Sequence, residues 1–270
     1  MSPPSIIDIG VNLTHRSFAG DHDRVVDRAI AAGVSSMILT GTSEATSRSA
    51  QALAAARPGV LFSTAGVHPH DASHCSAATI EALRALARLP AVVAIGECGL
   101  DFDRDFSPRA VQERWFEAQL VLAAELGLPV FLHERDAHAR FVAILRAHRP
   151  ALVDAVVHCF TGTAAELDVY LELGACIGIT GWICDERRGA ELRKLTARIP
   201  LDRLMIETDA PFLAPRDLRP RVSRNEPAYL PHILAAIATE RAQAIEVVAA
   251  ATTETARRVF RLDKHAAQPT

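Results

Sequence analysis

Eight short runs rich in Val and Ile, each followed by a longer stretch with helical spacing, constrain this chain more than any other feature. The runs are Ile6–Leu13, Ser36–Thr40, Leu61–Val67, Val92–Gly96, Val130–His133, Ala155–Phe160, Cys176–Thr180 and Leu204–Glu207. They are apolar on both faces, as parallel strands covered on both sides are. The stretches between them carry their own stops. Asp21–Ala32 ends at Gly33, Pro108–Leu126 follows Ser107 and ends at Gly127, and Ala164–Leu173 follows Thr163 and closes at Gly174. Thr163 and Glu166 have the spacing of a capping box. Glycine just past a helix end, with a strand soon after, is the pattern of an αβ loop. Eight such units in 270 residues predict a (β/α)8 TIM barrel, a fold of typically about 250 residues. A doubly wound open sheet is the alternative, but no G-x-G-x-x-G or phosphate-loop pattern follows any run. With no repeat, low-complexity tract or composition shift, one domain is expected over residues 1–270, its core spanning about 6–262.

Composition narrows the class further. Hydrophobic residues at 49% and charged residues at 23% exclude a disordered, collagen-like or disulfide-scaffold chain. Proteins that coat long duplex DNA carry an excess of Lys and Arg, and a net charge of −3 does not provide it. Any nucleic-acid contact is therefore expected at a cleft or through a metal. The five cysteines are widely spaced and form no C-x-x-C pair, so free thiols and a reducing compartment are expected. Met1–Pro4 lacks the basic region and long apolar segment of a secretory signal. No apolar stretch reaches the roughly 20 residues of a membrane span. A cytoplasmic monomer with no membrane partner is the expectation.

The polar residues at the ends of the apolar runs point to chemistry. Asp8 and Asn12 belong to the first run, His68 and His70 follow the third, and Glu97 and Asp101 follow the fourth. His133 ends the fifth, His158 lies in the sixth, and Asp209 follows the eighth. In a TIM barrel all these ends face one mouth, where active sites lie. His133, His158, Glu97 and Asp209 together suit a divalent cation, since imidazole and carboxylate are ligands for Zn, Mn, Fe or Mg. His68-Pro69-His70-Asp71 is either a substrate contact or the start of a helix. Arg135 is either a partner for phosphate or half of a structural ion pair. Arg224-Asn225-Glu226, in the proline-rich loop Ala214–Pro231, is placed at the rim, and Arg187-Arg188 reads as a solvated helix start.

Seven motifs in order resemble the TatD family of metal-dependent deoxyribonucleases, within the amidohydrolase-like TIM barrels. They are Asp8-Ile9-Gly10-Val11-Asn12-Leu13, Ala65-Gly66-Val67-His68-Pro69-His70, Ile95-Gly96-Glu97-Cys98-Gly99-Leu100-Asp101, Pro129–Ala137 around His133-Glu134-Arg135-Asp136, His158-Cys159-Phe160-Thr161-Gly162, Glu207-Thr208-Asp209-Ala210-Pro211 and Arg224-Asn225-Glu226-Pro227. The resemblance runs from about Ile7 to Phe260. It implies hydrolysis of DNA, commonly as a 3′–5′ exonuclease, and a role in repair or degradation of DNA; single-stranded DNA ends are the expected partner, with RNA left open beside them. Mg²⁺ or Mn²⁺ is the implied cofactor, with Zn²⁺ an alternative occupant. Glu97, His133 and His158 look like the ligands of one firmly held ion, and Asp209 like a carboxylate that binds an ion or its water. His68 looks like a group of the substrate cleft. Most relatives carry Asp-x-His-x-His on the first strand, where this chain has Asp8, Gly10 and Asn12. That departure resembles the TatD subgroup proper. It implies a second, weakly held ion near Asp8, Glu97 and Asp209, which two added histidines, Gly10→His with Asn12→His, should tighten.

The corresponding mechanism is phosphodiester hydrolysis by an activated water, with Asp209 and Glu97 as catalytic groups and Arg135 helping to bind phosphate. Two rivals share the fold. One is an amidase or esterase acting on a small molecule or on D-aminoacyl-tRNA, because a fold does not fix its reaction. The other is a non-catalytic binding protein.

Overall fold

Eight parallel strands pair strictly in chain order in the computed structural model, which describes residues 5–187 and 189–266. Met1–Pro4 and Arg188, named above, lie outside the described residues. The strands are β1 (Ile6–Val11), β2 (Val34–Leu39), β3 (Leu61–Ala65), β4 (Val92–Asp101), β5 (Val130–Arg135), β6 (Ala155–Val157), β7 (Cys176–Ile179) and β8 (Leu204–Ile206). Between and after them run α1 (His22–Ala31), α2 (Glu44–Ala56), α3 (Ala77–Ala87), α4 (Arg109–Leu126), α5 (His138–His148), α6 (Ala164–Glu172), α7 (Ala190–Thr196), α8 (Leu230–Glu240), α9 (Ile245–Phe260) and α10 (Leu262–Ala266). The expected (β/α)8 barrel is the observed one.

Most boundaries fall within two residues of the sequence expectation. The departures beyond that are at the ends of β4 and β6. β4 continues five residues past Gly96 because Cys98, Gly99, Leu100 and Asp101 pair with Leu132–Arg135 of β5 after a break in register. β6 stops at Val157, three residues early, and beyond it only His158 N and Phe160 N still reach the neighbouring strands, at Leu132 O and Gly178 O, as the chain turns into the mouth. The capping box at Thr163 is present: its hydroxyl accepts from Glu166 N, and Glu166 accepts from Thr163 N at 2.6 Å.

The ring closes between β1 and the segment after β8. Asn12 N donates to Ala210 O at 2.7 Å, and Asp209 N to Gly10 O at 2.9 Å. Asp8, fully buried, reinforces this seam by accepting from Thr208 Oγ1 at 2.6 Å and Thr208 N at 2.9 Å. Burial pushes its carboxyl up to about 8 against those donors.

The two mouths differ in chemistry. Inside the barrel, Ile7, Ile9, Ile38, Phe62, Val93, Phe131, Val156 and Met205 pack with Ala256, Val259 and Phe260 of α9. Thr253 and Thr255 of α9 donate to Ser5 O and Leu201 O, at the N-terminal ends of β1 and β8. α9 therefore plugs the N-terminal mouth with apolar side chains, and only the C-terminal mouth is open to polar chemistry. Among the described residues, no helix is long and apolar enough to cross a membrane.

Thr208→Val removes the hydroxyl that Asp8 accepts while keeping shape. Leaving a buried acceptor short of a partner costs about 1–3 kcal/mol, so the urea midpoint should fall accordingly. An unchanged midpoint would show that other contacts close the ring.

Candidate metal and active site

At the open mouth one carboxylate oxygen organises three imidazoles. Glu97 Oε1 lies 2.8 Å from His158 Nε2, 2.9 Å from His133 Nδ1 and 3.3 Å from His68 Nε2. The four residues come from the ends of β3, β4, β5 and β6, which only a closed parallel ring brings together. Glycine makes the approach possible. Beside Glu97, Gly96 has φ +135° and Gly99 has φ +148°; a Cβ on either would stand 2.1 Å from Phe131 O or 1.8 Å from His133 O. No other residue lets β4 run this close to β5 in that conformation.

Buried amides anchor the loops behind these side chains. Gln119 of α4 donates to Val67 O and accepts from Val67 N at 2.7 Å, fixing the residue before His68. Gln112 of the same helix accepts from Asp101 N at 2.9 Å. Asp101 in turn meets His70 Nε2 at 2.6 Å and lies 3.5 Å from His133 Nε2. On the other side, Glu207 is fully buried and accepts from Cys159 N at 2.5 Å, with His158 Nδ1 3.4 Å from its second oxygen. A carboxylate behind an imidazole fixes the ring's tautomer and turns its other nitrogen forward, here toward Glu97.

The electrostatics call for positive charge. Burial opposes ionisation of Glu97, yet His158, His68 and His133 hold it well below the usual carboxylate range. Burial likewise opposes a charge on both His158 and His133, but Glu97 and Glu207 push His158 well above its ordinary value, and Asp101 and Glu97 raise His133. His68 has no such surplus of carboxylates and burial lowers it to about 4. Asp209 is pushed up to about 7, by burial first, while Asn12 Nδ2 donates to its Oδ1 at 2.8 Å. His133 Nε2 is buried and meets Asp101 Oδ2 only at 3.5 Å, without a hydrogen bond among the described residues. His68, Glu97 and His133 can each offer a ligand atom within 4.8 Å of the others. Clustered carboxylates, imidazoles pulled toward their charged form and an unsatisfied ring nitrogen fit a divalent cation.

Asn12, His68, His70, Glu97, His133, His158, Cys159, Asp209, Phe106 and Phe212 line a cleft of about 800 Å³ over this cluster. Asp209 has φ +54° and Cys159 φ +48°, uncommon for residues with a Cβ and frequent at functional sites. A family model described as TatD related DNase matches residues 7–261. The chain belongs to this family. It is 56% identical over 259 residues to the "3′-5′ ssDNA/RNA exonuclease TatD" of Pantoea vagans, covering 95% of this chain and 100% of that one. The solved TatD homolog YJJV of Escherichia coli is 31% identical with a TM-score of 0.87, over 95% of this chain and 98% of that one. A β-aspartyl dipeptidase of Fervidobacterium islandicum, 14% identical with a TM-score of 0.55 over 96% of this chain and 73% of that one, shares the fold.

Not every expected TatD site residue joins the cluster. Asp8 spends its oxygens on Thr208 and Gly10 and is absent from the cleft lining. Arg135 pairs with Asp103 at 3.4 Å and lines the neighbouring cleft with Asp136, His138 and Phe160, which meets the mouth at His158. The rim role expected for Arg224-Asn225-Glu226 is overturned. Asn225 is fully buried and donates to Thr208 O and Phe212 O, while Glu226 bonds Arg28 and Arg224, tying the loop to α1. Glu207, Phe106 and Phe212 were not singled out from the sequence. Glu207 carried a signal, since it ends the apolar run of β8 as Glu97 interrupts that of β4.

Glu97→Gln keeps size but removes the charge on which three imidazoles converge. Calorimetry with Mn²⁺ should show loss of tight binding in a protein with parental circular dichroism. Parental affinity in that variant would remove Glu97 from the ligand set.

Proposed function

We propose that this protein is a metal-dependent exonuclease that trims single-stranded DNA, and RNA, from the 3′ end. The observation that carries the reading is Glu97 Oε1 within 3.3 Å of three imidazole nitrogens at the open mouth of a TatD-family barrel. The ligands we assign to the ion are Glu97, His133 and His158, with Asp209 assigned to its water and His68 alongside. Mg²⁺ or Mn²⁺ is the ion expected there. When bound, such a cation supplies charge stabilisation to phosphate oxygens and lowers the pKa of a water.

The chain's own residues do the rest. Asn12 fixes one oxygen of Asp209, and Asp209 takes the proton of the attacking water as general base. Glu207 orients His158 and Asp101 faces His133, which keeps both rings in register with Glu97. His70, held by Asp101, stands at the mouth where a leaving oxygen can receive a proton. Arg16 lines the cleft and suits a phosphate farther along the strand.

Two aromatic rings favour a single strand. Phe106 and Phe212 line the mouth and are 67% and 48% exposed, unusual for side chains of that size. Each contacts a histidine edge-on, His70 and His15 respectively, and leaves ring surface to solvent. Unpaired bases offer their faces to such rings, whereas bases in a duplex are already stacked. A second ion would be held more weakly than the first, because Gly10 offers no ligand atom and Asn12, whose Nδ2 donates to Asp209, offers only a neutral amide oxygen.

Asp209→Asn tests the reading with end-labelled single-stranded DNA and Mn²⁺. Turnover should fall by about 10²–10⁴-fold, the usual contribution of a general base, while Mn²⁺ still binds through Glu97, His133 and His158. Parallel loss of ion and activity would make Asp209 chiefly a ligand. Phe212→Ala should raise KM for single strands by roughly 5–150-fold, the equivalent of one base–aromatic stack, with kcat little changed. An unchanged KM would place the strand elsewhere.

A further inference from the structure

A second group of metal-capable side chains stands apart from the mouth cluster. Cys184, Asp217 and His232 each present a ligand atom, and these atoms lie within 4.8 Å of one another. They come from three segments: the 3-10 turn Gly181–Cys184 after β7, the long loop after β8, and the first turn of α8. His232 Nε2 and Asp217 Oδ1 are 2.8 Å apart. The thiol is almost wholly buried, while the side chains of His232 and Asp217 are 35% and 42% exposed. The group thus has a dry floor and an open side.

We propose that Cys184, Asp217 and His232 form a binding site for a thiophilic divalent cation, Zn²⁺, which clips the loop after β8 to the barrel wall. The donor set is one sulfur, one imidazole nitrogen and one carboxylate oxygen. Zinc takes all three at about 2.0–2.3 Å and completes a tetrahedron with water. Vertices of that tetrahedron lie about 3.3–3.5 Å apart, so small side-chain rotations bring the three donors into place. Mg²⁺ is a poor fit, because a hard ion prefers an all-oxygen shell. The two sites therefore differ in ion class: oxygen-tolerant at the mouth, sulfur-bearing here.

The surrounding charge is permissive. Of the neighbouring cations, Arg216 lies 3.2 Å from Asp185, and Arg193 donates to Ile183 O at 2.8 Å and Asp185 O at 3.1 Å and lies 3.5 Å from Glu240. Both are held by other acceptors and leave thiolate and carboxylate to the ion. Burial, then Asp217, push the Cys184 thiol up to about 12, so the bare thiol is neutral and ion binding releases its proton to solvent. The location gives the clip a purpose. The loop is tied at its start by the contact of Asn225 with Phe212 O and at its end by Glu226 with Arg28 and Arg224. Asp217 lies between those anchors, on the segment that follows the mouth residue Phe212.

Co²⁺ reports the site directly, because a thiolate ligand gives cobalt an intense near-ultraviolet absorption that oxygen and nitrogen ligands do not. The full chain, stripped of metal, is titrated with Co²⁺; cobalt held by imidazole and carboxylate at the mouth adds no thiolate band. The band should reach the intensity of one cobalt–thiolate bond per chain and vanish on adding Zn²⁺. Cys184→Ser should lose the band, and Cys159→Ser, at the mouth, should keep it. His232→Gln removes a half-exposed ligand and should weaken the titration by at least the roughly 10–100-fold that losing even an outer partner costs. If Cys184→Ser fails to fold by circular dichroism, His232→Gln decides. No thiolate band, a band that survives Cys184→Ser, or an unaltered titration in His232→Gln would overturn the proposal.

Discussion

A carboxylate buried without compensation is among the costliest groups a fold can contain, and Glu97 is 5% exposed. Its burial is tolerable because three imidazoles meet it, and each has to be delivered by a different strand. The demand propagates outward. β3, β4, β5 and β6 must be neighbours, the β4–β5 approach must be close enough to exclude a Cβ at Gly96 and Gly99, and the loops carrying His68 and Asp101 must be anchored by Gln119 and Gln112. The chemistry of the mouth and the closure of the barrel are therefore one constraint. Opening the ring between β1 and β8 would displace Asp209, whose own N–H bonds Gly10 O across that seam.

The two ends of the barrel divide the work. Phe260 and its neighbours on α9 seal the N-terminal end against the apolar interior, with Phe131 as the common contact: 6.5 Å between ring centroids to Phe260 below and 4.7 Å to His158 above. One aromatic ring thus separates the hydrocarbon core from the polar layer. Above it the low-dielectric floor strengthens every charge interaction of the cluster, and this is why pKa values there move so far in opposite directions. His133 and His158 go up beside carboxylates, while His68, buried with weaker compensation, goes down.

Much of this was legible in the sequence because barrel topology converts sequence spacing into convergence. Once the runs of Val and Ile are counted as eight parallel strands, Glu97, His133, His158 and Asp209 have one place to meet. Less legible was anything decided by a bond between distant segments. Asp8 looks like a ligand from its place on the first strand, but its partner Thr208 is 200 residues away, and that bond turns it from the mouth to the seam. Arg135 follows a site histidine, yet the extension of β4 to Asp101 pairs that residue with Arg135 itself and puts Asp103 within reach of the guanidinium. Arg224-Asn225-Glu226 reads as a charged rim, and only the fold shows Asn225 inside, satisfying two carbonyls of the loop. Exposed Phe106 and Phe212 carry no periodic signal that distinguishes them from core aromatics.

The first-strand departure gains a physical meaning from the fold. A Cβ at Gly10 would stand 2.4 Å from Glu207 Oε2 and 3.3 Å from the tip of the Phe131 ring, and one at Gly178 would stand 2.6 Å from Glu207 Oε1. The two glycines form a slot that the buried Glu207 carboxylate fills. A histidine at position 10 would have to displace Glu207 from the N–H of Cys159 and from His158, trading a group that orients an existing ring for a new donor. A histidine at position 12 would likewise free Asp209 from the Asn12 amide. Adding both imidazoles is therefore not a simple gain of two ligands. The same volume can hold a carboxylate behind His158 or a side chain on the first strand, and this chain is packed for the carboxylate. Its binding capacity is concentrated on the Glu97 side of the mouth, where the imidazoles already converge.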